Sequence, residues 1–407
     1  MNHYLLPELE PIAFQFRQAP EDFVVHEIAL QAPQGTGEHL YLHIEKTGLT
    51  TEQAIRILGR ALGRPARAFG YAGRKDKHAV TRQWLSVQGG EEDQLEKLHN
   101  THIQILDVSR GNAKLRRGAH AGNRFTLELR GIDPARQSDV QATCEALAEQ
   151  GLPNRFGAQR HGGAGMNAML GRQLVEGRQR EYMLGYLSEK HMGGAPGLIP
   201  LREVLAGDVK ADWRRVGLAA KDLPRQAVEI AAQMARRPGD MDSLLRAIPK
   251  GDRRFHVQSL QSALFDDWVA VRMNEPSGIS GALAGDWVRC SQQQATRLVD
   301  SDQELSPGES VLGPLFGKKM RTVEGRPLEL ENQVLANSGL GRESFEGLGP
   351  IGPKGGRRLL RVSVAGLEDA WHERGVQLRF VLPSGAYATT LLDQIGKKFH
   401  PEGAAGS

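Results

Sequence analysis

The chain has 407 residues, 40% of them hydrophobic and 25% charged, with a formal net charge of +4. That length fits two or three domains, and the composition excludes wholesale disorder. The only cysteines, Cys144 and Cys290, lie far apart, which excludes a disulfide framework, an all-cysteine zinc site and a thioredoxin-type motif. No apolar run approaches the ~18 residues a membrane span needs. Met1–Phe16 lacks a basic segment followed by an apolar one, so a soluble cytoplasmic protein is expected.

In chain order, His39–Ile44 alternates Leu40, Leu42 and Ile44 against Tyr41 and His43, which predicts a half-buried strand. Thr50, three residues before Gln53, is a capping-box pattern and opens a helix with Ala54, Ile57, Leu58 and Ala61 on one face. Gln83–Val87 and Thr101–Val108 read as strands, with a turn at Arg110–Asn112. Phe125, Leu127 and Leu129 alternate in a further strand. Asp133-Pro134 caps a helix that Gly151 ends. From about Phe156 glycine rises, and helical patterning dominates to about Asn274. A Pro/Gly-rich stretch follows at Gly347–Gly356. Val376–Leu382 resumes strand alternation, Pro383–Gly385 is a turn, and Ala386–Ile395 looks helical. This return of the first style predicts a middle domain inserted between two parts of one sheet domain.

Charge is uneven. Residues 1–50 carry seven acidic and two basic side chains, and residues 51–130 fifteen basic and eight acidic. Basic clusters stand at Arg74–His78, Lys114–Arg117, Arg253-Arg254, Lys318–Arg321 and Arg357–Arg361. Each reads either as a solvated face or as part of a cationic groove for a polyanion such as nucleic acid. Gly313–Lys319 is one residue short of a P-loop and lacks its Ser/Thr; no G-x-S-x-G or H-E-x-x-H occurs, and no metal-ligand spacing surrounds His99 and His102. Neither a metal nor a cofactor is expected.

The informative segment is Ala72–Gln83, where Asp76 is bracketed by Arg74, Lys75 and Lys77. Cations favour the ionised carboxylate, the state a nucleophile or general base requires. Asp76 could equally balance its neighbours in a surface loop. A second segment, Lys114–Gly118 with Gly122–Phe125, offers cations for a backbone, the Asn123 carboxamide for a base edge and the Phe125 ring for stacking. Phe125 also reads as strand core, continuing the alternation to Leu127.

Together A-G-R-K-D-K-H-A-V-T-R-Q, G-N-R-F-T-L, P-N-R-F-G-A-Q-R-H-G, S-L-Q-S-A-L-F and L-P-S-G-A-Y-A-T resemble the TruD family of tRNA pseudouridine synthases, in blocks running from Glu21 to Leu392. The resemblance implies an isomerase that converts uridine to pseudouridine in tRNA, usually at position 13, without cofactor or metal. It implies an α+β (mixed α/β) fold: a catalytic domain over 1–155 and 361–407 with a mixed, largely antiparallel sheet, and an inserted TRUD-type α/β domain over 156–360, forming a V-shaped basic cleft. It implies Asp76 as the essential aspartate. By the same resemblance, Phe23, Asn123 and Tyr387 are expected around the target base, Phe125 is expected to stack beneath it, and Arg17, Glu27 and Lys75 are further expected site residues. The expected partner is tRNA, with no membrane, and the expected state is a monomer. A non-catalytic RNA-binding or RNA-folding protein is the alternative. Where many members have N-[YF]-F-G-x-Q-R-F-G this chain has Arg155 and His161, and where they have L-F-N it has Asp266. These departures touch the hinge and the inserted domain.

Overall fold

The structure is a computed structural model that describes residues 3–31, 33, 35–193, 198–206, 223–237, 240–290 and 295–397. Two compact units divide the chain: Tyr4–Leu152 with the segment from Val362 onward, and Pro153–Arg361.

The first unit begins with strands β1 (Phe23–Ala29) and β2 (His39–Thr47), helix α1 (Thr51–Ala61), strands β3 (Phe69–Tyr71), β4 (Val80–Gln88), β5 (Ile103–Gly111) and β6 (His120–Arg130), and helix α2 (Gln137–Gln150). The helix at Thr50 starts as its capping box dictates: Thr50 Oγ1 accepts from the Gln53 amide at 3.2 Å, and Gln53 Oε1 accepts from the Thr50 amide at 2.8 Å. Asp133 accepts from the Ala135 amide at 2.9 Å ahead of α2, and Gly151 leaves that helix at φ +85°, a left-handed conformation suited to glycine.

In the second unit, α3 (Met166–Val175), α4 (Gln179–Tyr186), α5 (Leu198–Ala206), α6 (Arg225–Arg236) and α7 (Met241–Ala247) share one buried apolar cluster, which the long helix α8 (Lys250–Met273) joins at Val257, with α3 packed along α8. Strands β7 (Trp287–Cys290), β8 (Thr296–Leu298), β9 (Glu309–Leu315) and β10 (Gly356–Leu359) form a four-stranded sheet, and α9 (Gly325–Asn337) lies between the last two in sequence. Gly171 of α3 meets α8 so closely that a Cβ there would stand 2.1 Å from the His256 carbonyl oxygen. The chain then re-enters the first unit as β11 (Ala365–His372), β12 (Gly375–Pro383) and α10 (Ala388–Gly396).

The first unit's sheet has eight strands in the order β11-β12-β6-β1-β4-β2-β5, with β3 pairing β4 as well. It is mixed and largely antiparallel, as expected; β1 and β4 run parallel, with Val24 opposite Val80. One face carries Leu40, Leu42 and Ile44 of β2 and Leu85 of β4 against Ala54, Ile55 and Leu58 of α1, all buried. Each such aliphatic side chain contributes about 1.5–3 kcal/mol on leaving water. The other face carries Tyr41, His43, Arg82 and Trp84, none fully buried.

The departures at Arg155, His161 and Asp266 form one arrangement. Asp266, on α8, accepts from the Phe156 amide at 2.7 Å and the Gly157 amide at 2.9 Å, with His161 Nε2 at 3.4 Å and Arg155 Nε at 3.9 Å. The three departures thus lie together, with Asp266 accepting from two consecutive backbone amides and a histidine and an arginine beside it.

Candidate active site

Asp76 sits in the loop between β3 and β4. Because those strands pair antiparallel, with Phe69 opposite Val87, the loop of 72–79 turns back over the start of α1. Three hydrogen bonds tie it there. The Lys75 amide donates to Thr51 Oγ1 at 3.0 Å, Thr51 donates to Gln83 Oε1 at 3.0 Å, and Gln83 Nε2 donates to the Gly73 carbonyl at 3.2 Å. Thr51 and Gln83 are both fully buried, so this polar knot is shielded from competing water. A Cβ on Gly73 would come 2.9 Å from the Lys75 ammonium, so the ammonium lies close over the loop backbone.

Glu27, Lys46 and Arg17 converge on the loop from outside it. The Lys75 ammonium pairs with the Glu27 carboxylate from β1, with side-chain exposures of 5% and 1%. Glu27 also accepts from the Trp84 amide at 3.4 Å. Lys46, at the end of β2, donates to the carbonyl oxygens of Leu49 at 2.6 Å and Asp76 at 2.8 Å. Burial pulls its ammonium down to about 8, opposed by the nearby Asp76 charge and reinforced by Lys75. Sequence reasoning missed Lys46. The signal was available, because 46 continues the inward positions 40, 42 and 44 of β2, and a lysine at a core position calls for a partner.

The Asp76 carboxylate itself is partly shielded. Oδ1 accepts from the His78 amide at 3.0 Å, and Oδ2 pairs with Arg17 Nη2 at 2.9 Å. The Arg17 guanidinium lies over the Phe23 ring at 4.3 Å from its centroid. Arg17 has φ +62°, a left-handed backbone that costs a residue of this kind of order 1–3 kcal/mol. The strain is offset by what it orients: a cation stacked on an aromatic ring and directed at the carboxylate. Burial lowers the pKa of Arg17 and Asp76 opposes that shift.

The rings beneath are packed in a row. Phe23 stacks on Phe125 at 6.3 Å and 10°, and Phe125 on Phe380 at 5.3 Å and 26°. Phe125 is therefore enclosed on both faces and 6% exposed, which gives its strand-core reading full weight beside any role toward a base. Asn123 lies opposite Glu27 in the β1–β6 register, and its buried Oδ1 has no hydrogen-bond partner. An orphaned buried acceptor in a native structure calls for an explanation.

Tyr387 joins this group by a longer route. β12 pairs with β6, Leu382 opposite Asn123, and a Cβ at Gly122 would stand 2.3 Å from the Leu382 carbonyl oxygen. The turn that follows is pinned where the Ser384 amide donates to the Ala121 carbonyl at 3.1 Å and the Ser384 hydroxyl meets His120 Nε2 at 3.0 Å. Half-buried Tyr387 then opens α10. Thus contacts or strand register join Arg17, Phe23, Glu27, Lys75, Asp76, Asn123 and Phe125 directly, whereas Tyr387 belongs to the neighbouring turn.

Among the described residues no group of three His, Cys, Asp or Glu side chains could hold a metal ion, and no helix is long and apolar enough to cross a membrane. The strongest chemistry on this sheet is a carboxylate held by an arginine, with an unsatisfied carboxamide on a neighbouring strand, a site of the enzyme type in an α+β scaffold. A family model described as "TruD: tRNA pseudouridine synthase D (TruD)" matches residues 1–395. The protein named tRNA pseudouridine synthase D from Geobacter sulfurreducens is 36% identical, over 98% of this chain and 97% of that protein. A protein of the same name from Thermus thermophilus is 33% identical, over 97% and 92%. A crystal structure of a Methanosarcina mazei protein described as TruD shares the fold, with a TM-score of 0.76, 24% identity, and coverage of 98% of this chain and 96% of that one. The chain belongs to the TruD family.

Proposed function

We propose that the protein is an isomerase that converts uridine to pseudouridine in tRNA, at position 13, with Asp76 as the reacting carboxylate. Membership of a family of tRNA pseudouridine synthases supports the reaction. The single observation that favours Asp76 is its carboxylate held by Arg17 at 2.9 Å, an arginine that itself lies over the Phe23 ring. In this reading the sheet unit, 1–155 with 361–407, is the catalytic domain and 156–360 the inserted one. The protein works as a monomer in the cytoplasm, where its tRNA is.

The reaction breaks the N1–C1′ bond of uridine, turns the freed uracil and forms a C5–C1′ bond to the same ribose. The C5 proton leaves and N1 gains one, so neither oxidant nor cofactor is consumed. Asp76 either attacks C1′ or takes the adjacent sugar proton, and both routes require an ionised carboxylate; Arg17 pairs with it at 2.9 Å. Asn123 Oδ1 accepts from an imide N–H of the base, and Tyr387 holds the base while it turns, so the fragment is trapped rather than lost. In this reading Phe23 and Phe125 form the buried apolar layer beneath the site, and an extruded base rests above that layer. Glu27 and Lys75 position the loop.

The test is Asp76→Asn, assayed by mapping pseudouridine in tRNA incubated with purified protein. The expected result is a loss of at least ~10³-fold in single-turnover rate with tRNA affinity within a few-fold of the parent. Retention of a near-parental rate overturns the assignment of Asp76. If the parent binds tRNA in a salt-dependent manner yet makes no pseudouridine, the protein is a non-catalytic RNA binder.

A further inference from the structure

The sheet face turned away from α1 carries a feature that the reaction does not use. His26 of β1, His43 of β2 and Trp84 of β4 form a row of stacked rings: His26 to His43 at 5.5 Å and 14°, and His43 to Trp84 at 4.8 Å and 16°. Tyr41 ends the row, tilted on Trp84 at 6.4 Å. Burial is the largest cause holding both histidines below their ordinary pKa, so these rings are uncharged near neutral pH. Tyr41 lines a cavity of about 450 Å³ with Leu30, Gln31, Leu115 and Ala119, and its hydroxyl is already committed to the Ala113 carbonyl at 2.6 Å. What Tyr41 offers the cavity is therefore its ring. Leu30 is 61% exposed, more than any other large apolar side chain among the described residues.

The surroundings select the occupant. No acidic side chain lines the cavity, and the segment that forms one wall, 111–115, continues into the exposed cations Arg116 and Arg117. Lys114, also exposed, lies within that wall segment. The same segment reaches the Asp76 loop, because the Gly118 amide donates to the Ala72 carbonyl at 2.8 Å. A polyanion lying along these cations would thus run between the Asp76 loop and the cavity. The cavity has a ring wall, aliphatic sides and the Gln31 carboxamide among its lining, and its volume lies in the range of small-ligand sites. A planar heteroaromatic group matches that chemistry, and a phosphate does not.

We propose that this cavity receives one unpaired nucleobase of the substrate RNA, a few nucleotides from the target uridine, and so contributes to choosing the site of modification. The proposal rests on the reading of the protein as a tRNA pseudouridine synthase. Its energetic logic is general: a base stacks on an aromatic side chain in a sequence-tolerant way, and a carboxamide reads its edge.

The experiment compares the parent with Leu30→Glu and Gln31→Ala, measuring kcat and KM on full-length tRNA, and cross-links tRNA carrying 4-thiouridine near the target to the protein. Leu30→Glu is expected to raise KM about tenfold with kcat within twofold of the parent, since its side chain is exposed and the Asp76 loop is untouched. Gln31→Ala is expected to shift the preference among bases at one flanking position. A cross-link should fall on peptides containing residues 30–41 or 111–119. An unchanged KM in Leu30→Glu overturns the proposal, as does a cross-link pattern that avoids both peptides. A Leu30→Glu variant that dissociates a parental dimer in light scattering without RNA also overturns it, in favour of a second copy of this chain. If cross-links reach the cavity but the parent makes no pseudouridine, the functional reading fails and the base site stands.

Discussion

Lys46 illustrates how one residue couples stability to activity. Its ammonium is buried, points at two carbonyl oxygens and is lowered to about 8. Between about pH 8 and the ordinary lysine value of 10.5 the unfolded chain holds this proton and the folded chain releases it. Stability linked to this group therefore rises with pH across that window. Activity should move the other way, since deprotonation removes a positive charge from beside Asp76. We expect the single-turnover rate to fall above an apparent pKa of about 8, while the urea midpoint difference between parent and Lys46→Met grows from pH 7.5 to 9.5. Lys46→Met should be slower by about tenfold and should lack the alkaline limb. An alkaline limb that persists in Lys46→Met assigns it to another group.

At the scale of elements, the Asp76 loop depends on Thr51 more than on its own sequence. Thr51 Oγ1 receives the Lys75 amide and donates its own proton to Gln83. Thr51→Val keeps the shape but leaves a buried N–H and a buried carboxamide oxygen unpaired, at about 1–3 kcal/mol for such a group. The expected outcome is a lower thermal midpoint together with a several-fold lower kcat, both restored by Thr51→Ser. If Thr51→Val lowers the midpoint but leaves kcat unchanged, the knot is purely structural.

The elements that could be read from the sequence are those in which one pattern dominates. β2, α1, β6, α2 and β12 carry clean alternation, caps or helical spacing, and the structure keeps each within a few residues. β1 was not legible. Phe-Val-Val-His-Glu-Ile-Ala mixes core residues with site residues: Glu27 faces inward because Lys75 needs it, not because the core does. The short strands β7 to β10 are three to seven residues long and lack alternation, so periodicity had nothing to measure. The parallel pairing of β1 with β4 is a non-local fact that no local pattern encodes. In the candidate site, the motifs singled out Asp76 and Asn123. The pairing of Arg17 with Asp76, across about sixty residues of sequence, is likewise invisible to spacing.

For the whole molecule, charge must be counted by where it is spent. The Arg357–Arg361 cluster, which in sequence reads as a solvated face or part of a groove, is largely consumed internally. Arg357 pairs with Glu331 at 2.5 Å, and Arg358 donates to Asn154 Oδ1 at 2.6 Å and lies over Phe156. Arg361 donates to the Glu309 carbonyl at 3.1 Å. Arg272, too, is buried against Asp286. A net charge of +4 therefore understates the contrast between cations locked in the fold and exposed ones such as Lys114 and Arg116. Phosphate contacts are read as counterion release, each contributing about −0.7 to −0.9 to the slope of log K against log salt. The double variant Lys114→Ala/Arg116→Ala should weaken tRNA binding most at low salt and make the slope shallower by about one to two. Arg358→Ala should instead lower the thermal midpoint, because it removes the stacking on Phe156 and leaves Asn154 underpaired. Titrating tRNA binding from 50 to 300 mM salt separates the two classes. A slope unchanged by the double variant would show that these exposed cations do not touch the RNA backbone.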